Sequence, residues 1–77
     1  MLEKGTMIYM EVTLGQRARV ARLILSTRQV DIASEASVTV QEVSRLEKDA
    51  FVTPSRKKRI LKILGMFDEN EDVEAQN

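Results

Sequence analysis

From Thr13 to Gly65 the chain alternates apolar patches with hydroxyl-bearing breaks, and each break has the grammar of a helix start. Thr13-Leu14-Gly15-Gln16 has the spacing of a capping box, in which a hydroxyl and a Gln satisfy each other's free backbone N–H groups; the helix then runs to about Leu25. Ser26-Thr27-Arg28-Gln29 repeats the pattern and opens a short helix from about Arg28 to Ala36, with Ile32, Ala33 and Ala36 at the spacing of one buried face. Thr39-Val40-Gln41-Glu42 is a further box, opening a helix to about Lys48 whose Val43 and Leu46 point to the same side. Thr53-Pro54 starts a last helix, with Pro where its missing N–H costs nothing. Ile60, Leu61, Ile63 and Leu64 give this helix its apolar side, and Gly65 stops it. The pattern predicts four helices in this stretch.

Two apolar features fall outside that scheme. Met7-Ile8-Tyr9-Met10 with Val12 is too short and unpatterned for a helix and reads as an extended segment. The first helix carries Val20, Leu23, Ile24 and Leu25 over more than one stripe, so another apolar surface is expected to cover the excess. The N-terminal cluster, from the same chain or from a second subunit, is the nearest candidate.

Composition narrows the function classes. A chain of 77 residues holds one small domain. With no Cys and no His, disulfides, ordinary zinc sites, thiol nucleophiles and histidine acid/base chemistry are all excluded. No catalytic residues, metal or cofactor are assigned, and a small-molecule ligand is not expected. No apolar run approaches the roughly 20 residues that cross a bilayer, so the expected location is cytoplasmic, away from membranes.

The formal charge of zero conceals unlike parts. Residues 66–77 carry Asp68, Glu69, Glu71, Asp72 and Glu74 with no base, whereas Thr13 to Gly65 holds eleven bases and five acids, a net +6. Three regions follow: an N-terminal segment over residues 1–12, extended and serving as a packing or dimer arm; a helical domain over residues 13–67; and an acidic tail over residues 68–77. The tail has too little apolar surface to offset its ordering entropy and reads as disordered.

Ala36-Ser37-Val38-Thr39 leaves about three residues to turn between the second and third helices, with Ala33 small enough for close approach and Val38 apolar in the corner. This is helix-turn-helix grammar. From Leu14 to Gly65 the chain resembles the Cro and phage-repressor (XRE) family of DNA-binding domains. The likeness is carried by Leu14-Gly15-Gln16-Arg17, Arg22, Gln29, Ala33, Ala36 and Val38, then by Val43-Ser44-Arg45-Leu46-Glu47, Pro54 and Ile60 to Gly65. Ser37 stands where the family usually has Gly, and Asp49 where it has Gly or Asn. The resemblance implies a compact, all-α, lambda-repressor-like domain of four to five helices that binds double-stranded DNA as a homodimer. It also implies a structural ion pair between Arg22 and Glu47 and a phosphate held by Gln29 with neighbouring backbone N–H groups.

The physical reading favours the same surface. With Val43 and Leu46 buried, Val40, Gln41, Ser44, Arg45 and Lys48 fall on the opposite or flanking faces of the third helix. Arg45 can bind guanine O6 and N7, Gln41 adenine N6 and N7, and Val40 a thymine methyl; Ser44 completes the base-contact set. Arg28 and Gln29, at the start of the second helix, are placed against phosphates, together with Thr39, Lys48 and Arg56. Thr39 with Glu42 also reads simply as a cap. The Arg56-Lys57-Lys58-Arg59 run reads equally as a solvated helix face or a backbone contact.

The expected function is therefore sequence-specific DNA binding by a small transcriptional regulator, a repressor. Two recognition helices would sit one DNA turn apart, about 34 Å. The alternative keeps the fold and gives the apolar surplus to a protein partner, as in the antitoxins of this family that neutralise a toxin. An enzyme has little support, because Ser and Thr lack a His partner.

Overall fold

The computed structural model describes residues 12–66. These form an all-helical globule of α1 (Leu14–Ile24), α2 (Gln29–Ala36), α3 (Val40–Glu47) and α4 (Pro54–Ile63), with no strand among the described residues. The N-terminal segment through Glu11 and the acidic tail lie outside the described residues.

The starts follow local chemistry. Thr13 and Gln16 close a complete capping box at α1, the Thr13 hydroxyl accepting from the Gln16 N–H at 3.1 Å and the Gln16 side-chain Oε1 accepting from the Thr13 N–H at 3.0 Å. Thr39 and Glu42 do the same at α3. Pro54 opens α4 at the first helical position.

The start of α2 differs from its sequence reading. Its N-cap is Arg28, and the Ser26 box does not form. The Asp31 carboxylate accepts from the Arg28 backbone N–H at 3.2 Å and from its Nε at 3.1 Å; arginine has no acceptor with which to return the bond. Ser26 belongs instead to the stop of α1, with φ of 56°.

All four helices stop in the same way. One residue turns left-handed: Ser26, Ser37 (φ 58°), Asp49 (φ 61°) and Gly65 (φ 75°). The next N–H then reaches back five residues, from Thr27 to the Arg22 carbonyl at 3.1 Å, Val38 to Ala33 at 3.0 Å, Ala50 to Arg45 at 2.8 Å and Met66 to Leu61 at 2.8 Å. This motif satisfies carbonyls that the helix leaves unpaired. Three of the four left-handed positions lack glycine, so each carries backbone strain that the surrounding packing offsets.

The core lies where α2, α3 and α4 meet, with α1 laid across α3. Ile32, Val43, Ile60 and Leu61 are its largest fully buried side chains. The contribution of α1 is unusual, because its buried residues are Gly15 and Ala18. Small residues there let the two backbones approach closely. A Cβ on Gly15 would stand 2.5 Å from the Leu46 carbonyl oxygen and 2.7 Å from that of Glu47, so the end of α3 needs a glycine opposite it. The large apolar residues of α1 face outward, with Val20 51%, Leu23 54% and Ile24 75% exposed. Among the described residues nothing covers this surplus, and the cluster expected to cover it is undescribed. No helix of the described residues is long and apolar enough to cross a membrane.

Candidate nucleic-acid interface

The turn between α2 and α3 occupies Ser37, Val38 and Thr39. Ser37 reverses the chain in its left-handed conformation, half-buried Val38 packs against the core, and Thr39 caps α3. The hydroxyl and N–H of Thr39, placed by its sequence reading against a phosphate, are both engaged in that cap.

A polar interlock fixes α3 against α1 and α2. Arg22 Nε donates to Glu47 Oε2 at 2.6 Å, Nη2 to Oε1 at 3.2 Å, and Nη1 to the Thr27 carbonyl at 3.1 Å. Gln29 Nε2 adds a bond to Glu47 Oε1 at 3.0 Å. The side chains of Arg22 and Glu47 are only 13% and 5% exposed, so the pair is largely desolvated and the forked geometry carries more than a surface pair would. The bond to Glu47 raises the Arg22 pKa above its already high ordinary value, although burial opposes it. The sequence reading gave Gln29 to a phosphate, yet its side-chain amide is turned inward to Glu47. In the first turn of α2 the Arg28 carbonyl accepts from the Asp31 N–H at 3.0 Å, which leaves the Gln29 and Val30 N–H groups without intrahelical partners.

Above this interlock lies a cleft of about 440 Å³ between α1 and α3, lined by Gln16, Arg19, Ser44 and Lys48 with the Arg22, Gln29 and Glu47 groups. Its rim is cationic and its acid is already paired.

The solvent face of α3 follows from its buried one. Val43 and Leu46 point into the core, which leaves Gln41, Arg45 and Lys48 exposed, Val40 42% exposed at the start of the helix, and Ser44 half-buried on its flank. Glu42, on the side toward α4, accepts from Arg56 Nη1 at 3.1 and 3.2 Å. Bonding to the Thr39 N–H, assisted by Arg56, holds the Glu42 carboxyl below the usual carboxylate range. Arg56 thus sits beside the start of α3 with part of its charge neutralised. Arg28 is likewise paired with Asp31, whose pKa it lowers, but remains highly exposed at the start of α2. Val40, Gln41, Ser44 and Arg45 share one helix surface, whereas Arg28 and Arg56 stand on other elements, Arg56 against Glu42 of α3.

Sequence reasoning missed the support beneath α3. Asp49, just past its end, accepts from the Thr13 hydroxyl at 2.5 Å and the Gly15 N–H at 2.9 Å, so one carboxylate caps α1 while its backbone ends α3. Bonding to Thr13, then to Gly15, holds the Asp49 carboxyl below its ordinary value, with the Lys57 charge assisting. A glycine one position inside a predicted helix, where it is costly, was the available pointer.

No family model, curated protein or solved structure matches the chain.

Proposed function

We propose that residues 13–67 form a lambda-repressor-like helix-turn-helix domain of the Cro and phage-repressor type, which binds double-stranded DNA sequence-specifically as a cytoplasmic transcriptional repressor. The observation that carries this reading is the outward set of Gln41 and Arg45 on a helix held rigidly by the Arg22–Glu47–Gln29 interlock just after a three-residue turn. Placed in a major groove, α3 presents Arg45 to guanine, Gln41 to adenine, and Val40 and Ser44 to adjoining base edges. Arg28 and the first-turn N–H groups of α2 meet phosphate on one side, and Lys48 and Arg56 meet it on others. Two copies on a two-fold site supply the contact area that one short helix lacks.

The exposed Val20, Leu23 and Ile24 of α1 favour a second reading, in which the same fold also engages a protein, as an antitoxin engages its toxin. This face is directed away from α3, so the two activities are compatible.

A binding titration on mixed-sequence duplexes at several salt concentrations tests the first reading. Log affinity falls with log salt by about 0.9 per neutralised phosphate if the cationic margins meet the backbone. Absence of binding at low salt rejects it.

A further inference from the structure

We propose that the cleft between the start of α1 and the connection from α3 to α4 is the seat of Met7-Ile8-Tyr9-Met10 from the same chain. The cleft measures about 460 Å³, within the ~300–1,000 Å³ range of sites that enclose a ligand. Leu14, Leu46, Phe51, Val52 and Pro54 are among its lining residues, with Asp49 and Lys57 as its charged groups. Phe51 is 76% exposed, the highest among the large apolar side chains described, yet it sits on a short connection pinned by buried Val52. An exposed aromatic ring beside an open cleft is a surface awaiting cover.

The place where the N-terminal segment joins the domain identifies the occupant. The Thr13 hydroxyl is bonded to Asp49, and Asp49 itself lines the cleft, so the chain enters the domain at the rim. Met10 lies three residues before that anchor, a reach of about 10 Å, and Met7 about 20 Å in extended form. Met7, Tyr9 and Glu11 share the face of an extended chain on which the Thr13 side chain meets Asp49, and flexible Met suits an irregular cleft. Glu11 carries a charge opposite to that of Lys57 in the lining. This seat also differs from the outer face of α1, since Leu23 and Ile24 lie about 15 Å or more along the helix from Thr13. The segment therefore completes the domain at its α3–α4 corner and leaves the outer face of α1 for another molecule.

The experiment uses the full chain. Tyr9 is the only tyrosine and there is no tryptophan, so tyrosine emission reports the segment alone. Acrylamide quenching of Tyr9 is expected to be several-fold weaker than that of N-acetyltyrosinamide. Phe51→Ser, at an exposed position, should restore free quenching without changing the far-UV circular dichroism. The chain has no cysteine, so the pair Glu11→Cys with Ala50→Cys can form only the designed disulfide, expected within single chains at micromolar concentration. Wild-type Tyr9 quenched as freely as the amide overturns the proposal. So does a disulfide found only between chains, which would assign the cleft to a second copy's segment.

Discussion

Helices α1 and α3 are patterned in opposite senses. The third helix buries Val43 and Leu46 and exposes Gln41 and Arg45, as an amphipathic surface helix does; the first buries Gly15 and Ala18 and exposes Val20, Leu23 and Ile24. The difference teaches that α1 is held less by hydrophobic burial than by specific contacts. Backbone approach at Gly15, the Asp49 carboxylate at its start and the Arg22–Glu47 pair at its end fix it to α3. Stability should therefore depend on polar residues along their seam, and recognition on polar residues away from it.

The largest effect is expected at the seam. Glu47→Ala leaves Arg22 and Gln29 without their shared acceptor and should destabilise the domain by about 3–5 kcal/mol, toward the lower end because Arg22 keeps some solvent contact. Urea denaturation measures this, and a loss within about 0.5 kcal/mol would put α1 on the same hydrophobic footing as α3. Next is Gly15→Ala. In an open helix this change stabilises by roughly 1 kcal/mol, but here the added Cβ meets two carbonyl oxygens, and a loss of about 1–3 kcal/mol is expected. A rise in the thermal midpoint would show that the helices can move apart freely.

The helix stops give a smaller effect of opposite sign. Ser26→Gly and Ser37→Gly each relieve a left-handed residue and should stabilise by about 0.5–1 kcal/mol, the relief of roughly 1–2 being partly offset by glycine's greater chain entropy. Loss of stability in either variant would mean that the serine side chain supports the turn. The smallest effect is on pH. Asp49 has a folded pKa below its unfolded value of about 3.9, so its contribution is complete above that value and is lost as pH falls through the folded pKa. Asp49→Asn should flatten this part of the acid unfolding curve, and an unchanged slope would remove Asp49 from the seam.

The same contrast explains what could be read in the chain. Four helices were legible because Thr13, Thr39 and Pro54 are local start signals and because Ile32, Val43, Leu46 and Ile60 recur at helical spacing. Ser26 misled because a hydroxyl before a helix suits either an N-cap or a left-handed stop. Asp31, three residues after Arg28, decided the matter by capping the backbone itself. The outward residues of α3 followed from its two buried ones. The bond from Gly15 to Asp49 could not be read, since it joins residues 34 apart and depends on how closely two backbones pack. Likewise, the apolar surplus of α1 was visible, but which side would face the core turned on Gly15 and Ala18 rather than on hydrophobicity.

The central claim, that α3 reads DNA through Arg45 while the seam merely holds it in place, is tested most directly by selecting bound duplexes from a randomised pool with the wild-type chain and with Arg45→Ala. Arg45 is exposed, so the variant should keep its stability within about 0.5 kcal/mol. The wild type should enrich a two-fold motif containing a guanine whose preference the variant loses, a discrimination of about 1–3 kcal/mol at that base pair. An enriched motif identical in both chains, or no enrichment with either, would contradict the account.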